Sequence, residues 1–262
     1  MVKASILNEI RNNSPLVHNI TNYVVMNNTA NALLSVGASP VMAHSLDEVE
    51  EIISISSSLV INMGTLSEHW VDRMIKAGKK ANELNKPIVF DPVGVGASSY
   101  RTKVAKEIIE KTNPSVIRGN ASEIMVLAQL SSVTKGVDST AKTVEALDGA
   151  IQLSKELNNT VVVSGETDYI VTRDKISSVN NGSELMSKVT GMGCTATSVI
   201  GASVAVEDDL HEAAVFSMVL MGVAGEIAES KSNGPGSFQI SLLDTLASVS
   251  SKIISDNARI ND

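Results

Sequence analysis

The sequence predicts an α/β fold: a central, mainly parallel sheet with helices on both faces and antiparallel strands at one edge. Three observations carry this. Apolar runs of strand length alternate with helix-period segments over the first 165 residues. The pattern then changes to two short strands, residues 169–172 and 175–179, turning near Asp174 as an antiparallel hairpin. From residue 195 onward come two helices of small and apolar residues, 195–207 and 210–230, and a closing amphipathic helix, 241–257.

Taken in order, residues 5–12 form a short helix that Pro15 stops, and residues 16–20 are extended. Residues 22–36 place Tyr23, Met26, Ala30, Leu33 and Leu34 at helical spacing, with Gly37 at the stop. Asn19, Thr21, Asn22, Asn27, Asn28 and Thr29 crowd the start of this helix, either as caps and a solvated face or as the polar wall of a ligand site. A short strand at 39–42 leads to a capping box, Ser45 with Glu48, and a helix to residue 53. Strands at 59–63 and 87–93 flank a long helix, 67–85, whose inner face carries Trp70, Met74, Ala77, Ala81 and Leu84. Residues 103–111 and 122–129 are helical around a strand at 115–118, 135–139 is a polar loop, and 140–157 is a helix with Val144, Leu147, Ile151 and Leu157 inward. The strand 160–164 completes the alternation. Asn181-Gly182 reads as a tight turn and residues 234–238 as a loop. With no repeat, linker or low-complexity tract, residues 1–262 read as one domain, with no separate lid.

Composition narrows the function. With 43% hydrophobic and 19% charged residues the chain is globular, and its net charge of −8 makes it a poor partner for nucleic acid or an anionic membrane. Aromatics at 3% disfavour a base-stacking surface. One cysteine excludes an intrachain disulfide and a cysteine-based zinc site, and fits a reducing compartment. The polar N-terminus lacks a signal-peptide core and no uninterrupted apolar run has membrane-spanning length, so a soluble cytoplasmic protein is expected.

In open parallel sheets ligands bind beyond the carboxyl ends of the strands. Asp91 stands at one such end and Glu123 just beyond another, where two carboxylates could hold magnesium through its waters; alternatively Asp91 caps a loop and Glu123 complements a helix dipole. Arg118 at a strand end fits phosphate oxygens or pairs with Glu123. Ser164-Gly165 either touches a nucleotide or begins a turn. The stretch Thr190-Gly191-Met192-Gly193-Cys194, between a strand-rich region and a helix, reads as an anion cradle or as an ordinary turn. Cys194 at a helix N-terminus would favour a thiolate, but none of the four histidines, 18, 44, 69 and 211, is placed near it by sequence. The chain lacks a P-loop and a strand–GxGxxG–helix fingerprint, so a phosphate site must be the cradle at Gly191–Cys194.

Six stretches, Val17-His18-Asn19-Ile20-Thr21-Asn22-Tyr23-Val24-Val25, Gly37-Ala38-Ser39-Pro40-Val41-Met42, Asp91-Pro92-Val93-Gly94, Arg118-Gly119-Asn120 with Glu123, Thr190-Gly191-Met192-Gly193-Cys194, and Gly234-Pro235-Gly236-Ser237-Phe238, carry a resemblance. By them the chain resembles the hydroxyethylthiazole kinases of thiamine salvage, in the ribokinase-like superfamily. The stretches run in family order over nearly the whole chain.

The resemblance implies ATP-dependent phosphorylation of the hydroxyl of 4-methyl-5-(2-hydroxyethyl)thiazole with Mg2+. By the same resemblance Met42, Asn22, Val24 and Gly191 bind the thiazole, Arg118 and Ser164 bind ATP, and Asp91 and Glu123 stand on the magnesium side. Cys194 lies near the reacting hydroxyl, with the backbone of Gly191, Gly193 and Cys194 holding the transferring phosphoryl. The resemblance also implies a homotrimer with sites between subunits. The wider superfamily usually carries an aspartate where this chain has Cys194, so Cys194 is expected to contribute modestly and turnover to be slow. Two other readings are weighed: a kinase for another small alcohol, such as the thiamine pyrimidine, and a non-catalytic nucleotide-binding protein. The asparagine-rich segment and Met42 oppose the first; Asp91, Arg118 and Glu123 together oppose the second.

Overall fold

The structure, a computed structural model, describes residues 1–131 and 142–262. The expected loop at 135–139, Thr140 and the Val144 side chain lie outside the described residues. Nine described strands form one sheet: β1 (Leu16–Ile20), β2 (Ser39–Val41), β3 (Ser58–Asn62), β4 (Ile88–Asp91), β5 (Val116–Asn120), β6 (Thr160–Ser164), β7 (Asp168–Thr172), β8 (Lys175–Val179) and β9 (Ile260–Asn261), in the order β2-β1-β3-β4-β5-β6-β7-β8-β9. The pairs from β2 to β6 are parallel, and β6-β7, β7-β8 and β8-β9 are antiparallel, as the alternation and the hairpin pattern predict.

The helices are α1 (Ile6–Asn13), α2 (Met26–Val36), α3 (Val49–Ile55), α4 (Glu68–Glu83), α5 (Ser99–Thr112), α6 (Ala121–Ser131), α7 (Lys142–Leu157), α8 (Met192–Val204), α9 (Leu210–Ser230), α10 (Pro235–Ser248) and α11 (Ser251–Asn257). Period-two alternation sorts each strand between two cores. Leu59 and Ile61 of β3 join Trp70, Met74 and Ile108 on one face, while Val60 joins Leu33, Val199 and Phe216 on the other. Burying each of these larger side chains contributes about 1.5–3 kcal/mol. By length and composition α9 could cross a membrane, but most of it is buried against the sheet and α8, so it is a core helix.

Three helices are shifted from the sequence reading, with α3 at Val49–Ile55, α5 beginning at Ser99 and α8 at Met192–Val204, and four further differences each have a local cause. Residues 22–25 form a turn before α2, because the Asn22 side-chain oxygen accepts from the Val24 N–H and delays the helix to Met26. Asn181-Gly182 is not a tight turn. The partner of β8 is the C-terminal β9, and the Asn181 amide is held by Asn257 O and Glu226. Residues 234–238 are mostly helix, since Pro235 occupies the first turn of α10, where its missing N–H costs nothing. The single closing helix is two: Arg11 takes the carbonyls of Leu246, Ala247 and Val249 at the end of α10, and Ser250 then caps α11.

Tight packing of α9 against the segment after β8 gives a stability prediction. A Cβ on Gly222 would stand 2.6 Å from the backbone C and O of Asn181, which cannot rotate away. Gly222→Ala is expected to destabilise the fold by about 1–3 kcal/mol, read as a lower urea midpoint.

Candidate active site

The carboxyl ends of β3, β4, β5 and β6 converge on the start of α8. Gly191 is the N-cap at φ 83°, a left-handed conformation, and a Cβ there would meet Val25 Cγ1 at 2.6 Å. Gly193 and Cys194, expected in a loop, lie in the first helical turn, where backbone N–H groups lack intrahelical acceptors. Arg118 reaches this turn from β5: a Cβ on Gly193 would stand 2.4 Å from its Nη1. Arg118 Nη2 donates to Ser164 Oγ at 2.5 Å, its Nη1 lies 4.0 Å from Asp91 Oδ2, and its Nε is buried without a partner. A guanidinium, a row of free N–H groups and the positive end of α8 therefore share one spot, suited to anionic oxygens.

Asp91 ends β4 and is fully buried. Its Oδ2 accepts from Asn62 Nδ2 at 2.9 Å and Thr197 Oγ1 at 2.8 Å, while Oδ1 has no partner. Burial pushes its pKa up to about 6, against the lowering effects of Arg118 and of the Thr197 and Asn62 hydrogen bonds; Glu123 also raises it. An unpartnered buried carboxylate oxygen is an open hard-oxygen position that fits a divalent cation. Glu123 is committed differently. Its Oε1 accepts from the Gly94 N–H and its Oε2 from the Asn120 N–H, both at 2.8 Å, while its own N–H donates to Asn120 Oδ1. It closes a capping box and clamps the loop after β4, rather than pairing with Arg118. Two protein bonds leave it only the remaining lone pairs, enough to accept from a metal-bound water.

Cys194 is not the activated thiolate that its helix position suggests. Burial first, and then the Asp91 charge, push its pKa up to about 11, outweighing the Asn62 hydrogen bond, the Arg118 charge and the Asn22 hydrogen bond. Asn22 Nδ2 lies 3.6 Å from its Sγ. Three of the four histidines are engaged elsewhere, His18 Nε2 with Ala43 O at 2.8 Å, His44 tilted against Trp70 at 4.3 Å between centroids, and His211 with Thr172 and Ser177, while His69 is exposed on α4. Iodoacetamide at pH 7.5 is expected to alkylate Cys194 at least ~10-fold more slowly than free cysteine, because the thiolate fraction falls about tenfold per pKa unit.

A cleft of about 890 Å³ opens beside α8, lined by Arg118, Ser164, Asp168, Asn181, Met186 and Gly193 among others. Its size is that of a small-molecule pocket. The Asp168 carboxyl, held by the Gly165 N–H and pushed up to about 6 by burial, fixes the turn after Ser164. Asn22, Asp91, Arg118, Ser164, Gly191, Gly193 and Cys194 are thus gathered at one place. Met42 lies just past the edge strand β2, half-buried, with its carbonyl near His44, and Val24 is 62% exposed with its N–H on Asn22; the structure joins Val24 to the cluster through Asn22 and shows no contact that brings Met42 into it. Asn62, Thr197 and Asp168 were not read from the sequence as site residues. Asn62 carried a usable signal, a polar residue closing an apolar strand in the same way as Asp91, and Thr197 lies one helical turn after Gly193.

Comparison with known proteins agrees with this geometry. The model of the hydroxyethylthiazole kinase family matches residues 7–252. The hydroxyethylthiazole kinase of Leptospira biflexa is 53% identical over 237 residues, covering 90% of this chain and 89% of its own. That of Desulfotalea psychrophila is 48% identical, covering 100% and 96%. The solved hydroxyethylthiazole kinase structure from Pyrococcus horikoshii superposes with a TM-score of 0.92 at 41% identity, covering 98% of this chain and 97% of that one. A ribokinase-like superfamily protein of Enterococcus faecalis shares the fold at a TM-score of 0.68 and 12% identity, covering 95% and 96%. With a family match over most of its length and relatives near half identity, the chain belongs to the hydroxyethylthiazole kinase family.

Proposed function

We propose that the protein transfers the γ-phosphoryl group of ATP to the hydroxyl of 4-methyl-5-(2-hydroxyethyl)thiazole, yielding the thiazole phosphate and ADP for thiamine biosynthesis. The observation that carries it, beside family membership, is the Arg118 guanidinium laid on the Gly193 turn of α8 opposite the buried Asp91. Phosphoryl transfer needs chiefly positioning and charge stabilisation, and this cluster supplies both. Arg118 and Ser164, which line the cleft, bind the nucleotide phosphates. The N–H groups from Gly191 to Cys194 cradle the transferring phosphoryl. Asp91 through Oδ1, with Glu123 through water, would hold Mg2+, which when bound offsets phosphate charge.

Asn22, Val24, Met42 and Gly191 form the thiazole side. The alcohol oxygen forms its bond to the γ-phosphorus as the bridging P–O bond to ADP breaks, and the hydroxyl proton passes to an oxygen of the transferred phosphoryl and from there to water. In a loose transition state this proton leaves late, so a strong base is not required. Cys194, a neutral thiol at working pH, contacts and places the alcohol and takes no proton. The test is ADP release in the presence of magnesium, ATP and the thiazole alcohol. Release with the thiazole and none with the thiamine pyrimidine alcohol supports the assignment, and the reverse preference sinks it.

The open apolar side chains Tyr23, Val24 and Leu34, each at least 60% exposed beside the thiazole side, support a homotrimer with sites between subunits. Sedimentation equilibrium reads this directly, and a monomer at micromolar concentration would refute it. The single, unpaired thiol and the acidic composition support a cytoplasmic setting.

A further inference from the structure

β1 continues into β2 on one side, while β3 lies on the other, so the sheet reverses its winding between β1 and β3. The crevice beyond such a switch point is where open α/β sheets receive ligands. Two buried amides meet there: Asn22, just past β1, and Asn62, the last residue of β3 and 1% exposed. Asn62 Oδ1 accepts from Asn22 Nδ2 at 2.8 Å and from the Gly64 N–H at 3.0 Å, while its Nδ2 donates to Asp91 Oδ2 at 2.9 Å. This polarity is forced. A flipped Asn62 amide would aim N–H groups at the Gly64 N–H and an oxygen at the Asp91 carboxylate.

The consequences run in both directions from Asn62. Towards β4, Asn62 and Thr197 together saturate Asp91 Oδ2 and leave Oδ1 as the open oxygen. Towards α2, Asn62 holds the Asn22 amide with its nitrogen beside Cys194 Sγ and its oxygen on the Val24 N–H. The thiazole side and the metal side are therefore joined through one side chain, which also interacts with the Cys194 thiol.

We infer that Asn62 is a positioning residue for phosphoryl transfer, setting the Asn22 amide and the open oxygen of Asp91 in one frame. The inference rests on the kinase reading above. Removing a partner that orients a ligand-holding group typically costs about 10–100-fold. Asn62→Ala is expected to lower kcat by about that factor and to raise both the thiazole KM and the apparent magnesium constant, leaving the magnesium-free affinity for AMP-PCP unchanged. Asn62→Asp keeps the acceptor for Asn22 and Gly64 and loses the donor to Asp91, so its thiazole KM should stay near wild type while its magnesium constant rises. Asn22→Ala should raise the thiazole KM alone, and adding Asn62→Ala to it should raise that KM no further.

The experiment combines steady-state kinetics with calorimetric titration of AMP-PCP, with and without magnesium, on variants whose melting shows them folded. Loss of the magnesium-dependent part of AMP-PCP binding in Asn62→Ala, with the split above, supports the inference. A folded Asn62→Ala or Asn62→Asp with wild-type magnesium dependence and only a reduced kcat overturns it. Wild-type protein that releases no ADP with the thiazole removes the kinase reading, and the inference with it, so the two failures are distinct.

Discussion

Asp91→Asn is expected to lower kcat by about 10²–10³-fold and, at the same time, to raise the melting temperature at neutral pH. The loss of rate follows from removing the charge on a buried carboxylate whose Oδ1 has no protein partner and whose Oδ2 lies 4.0 Å from Arg118 Nη1. The gain in stability follows from its pKa, raised from 3.8 to about 6 mainly by burial. A raised folded-state pKa means that the native protein binds more protons than the unfolded chain between about pH 4 and 6, so this group's contribution to stability falls as pH rises through that window. Above it the ionised Asp91 carries the full burial penalty. Asparagine removes that penalty, and each kcal/mol recovered shifts melting by about 2–4 °C for a chain of this size. Melting curves of wild type and Asp91→Asn from pH 4 to 8 should therefore diverge with rising pH. Asp168, raised for the same reason, is present in both proteins and cancels in the difference. A variant that melts lower than wild type at pH 7 would contradict this electrostatic account.

Arg118→Met should reduce kcat/KM for ATP by about 10²–10³-fold, since it removes the one guanidinium seated on the phosphoryl cradle. It also strips Asp91 of its nearest cation, 4.0 Å away, so the folded protein should be weakened more at pH 8 than at pH 5. Combining it with Asp91→Asn should restore much of that stability and none of the activity. Gly193→Ala offers a control that keeps the charge: the new Cβ would stand 2.4 Å from Arg118 Nη1 and displace the guanidinium. It should lower kcat/KM for ATP in the same direction while leaving the remainder of α8 in place. ATP kinetics on the three variants check the ordering.

The strand ends were the most legible part of the sequence, because parallel strands buried on both faces read as apolar runs and their boundaries are marked by polar or glycine residues. This is why Asp91, Arg118 and Ser164 could be grouped before their distances were known. Glu123 was legible in position and ambiguous in role: the Asn120–Glu123 spacing of a capping box also fits a metal-side acid, and only the bonds to Gly94 and Asn120 separate them. Asn62 was marked only as a polar strand end, and its value lies in partners 40 and 29 residues away, which spacing does not show. The protonation state of Cys194 was only half legible. A helix N-terminus lowers a thiol pKa, but burial and a neighbouring carboxylate raise it, and sequence shows only the first. The C-terminal boundaries failed likewise, since the end of α10 is set by Arg11, far away in the chain.

The central claim is that phosphoryl transfer here rests on Asp91 and Arg118 around the first turn of α8, and not on the Cys194 thiol as a base. Single-turnover formation of the thiazole phosphate by Cys194→Ala, at saturating ATP and magnesium, tests it most directly. The account predicts a rate within about threefold of wild type, a barrier change of ~0.6 kcal/mol. A fall as deep as that of Asp91→Asn would contradict it and make the thiol the catalytic base.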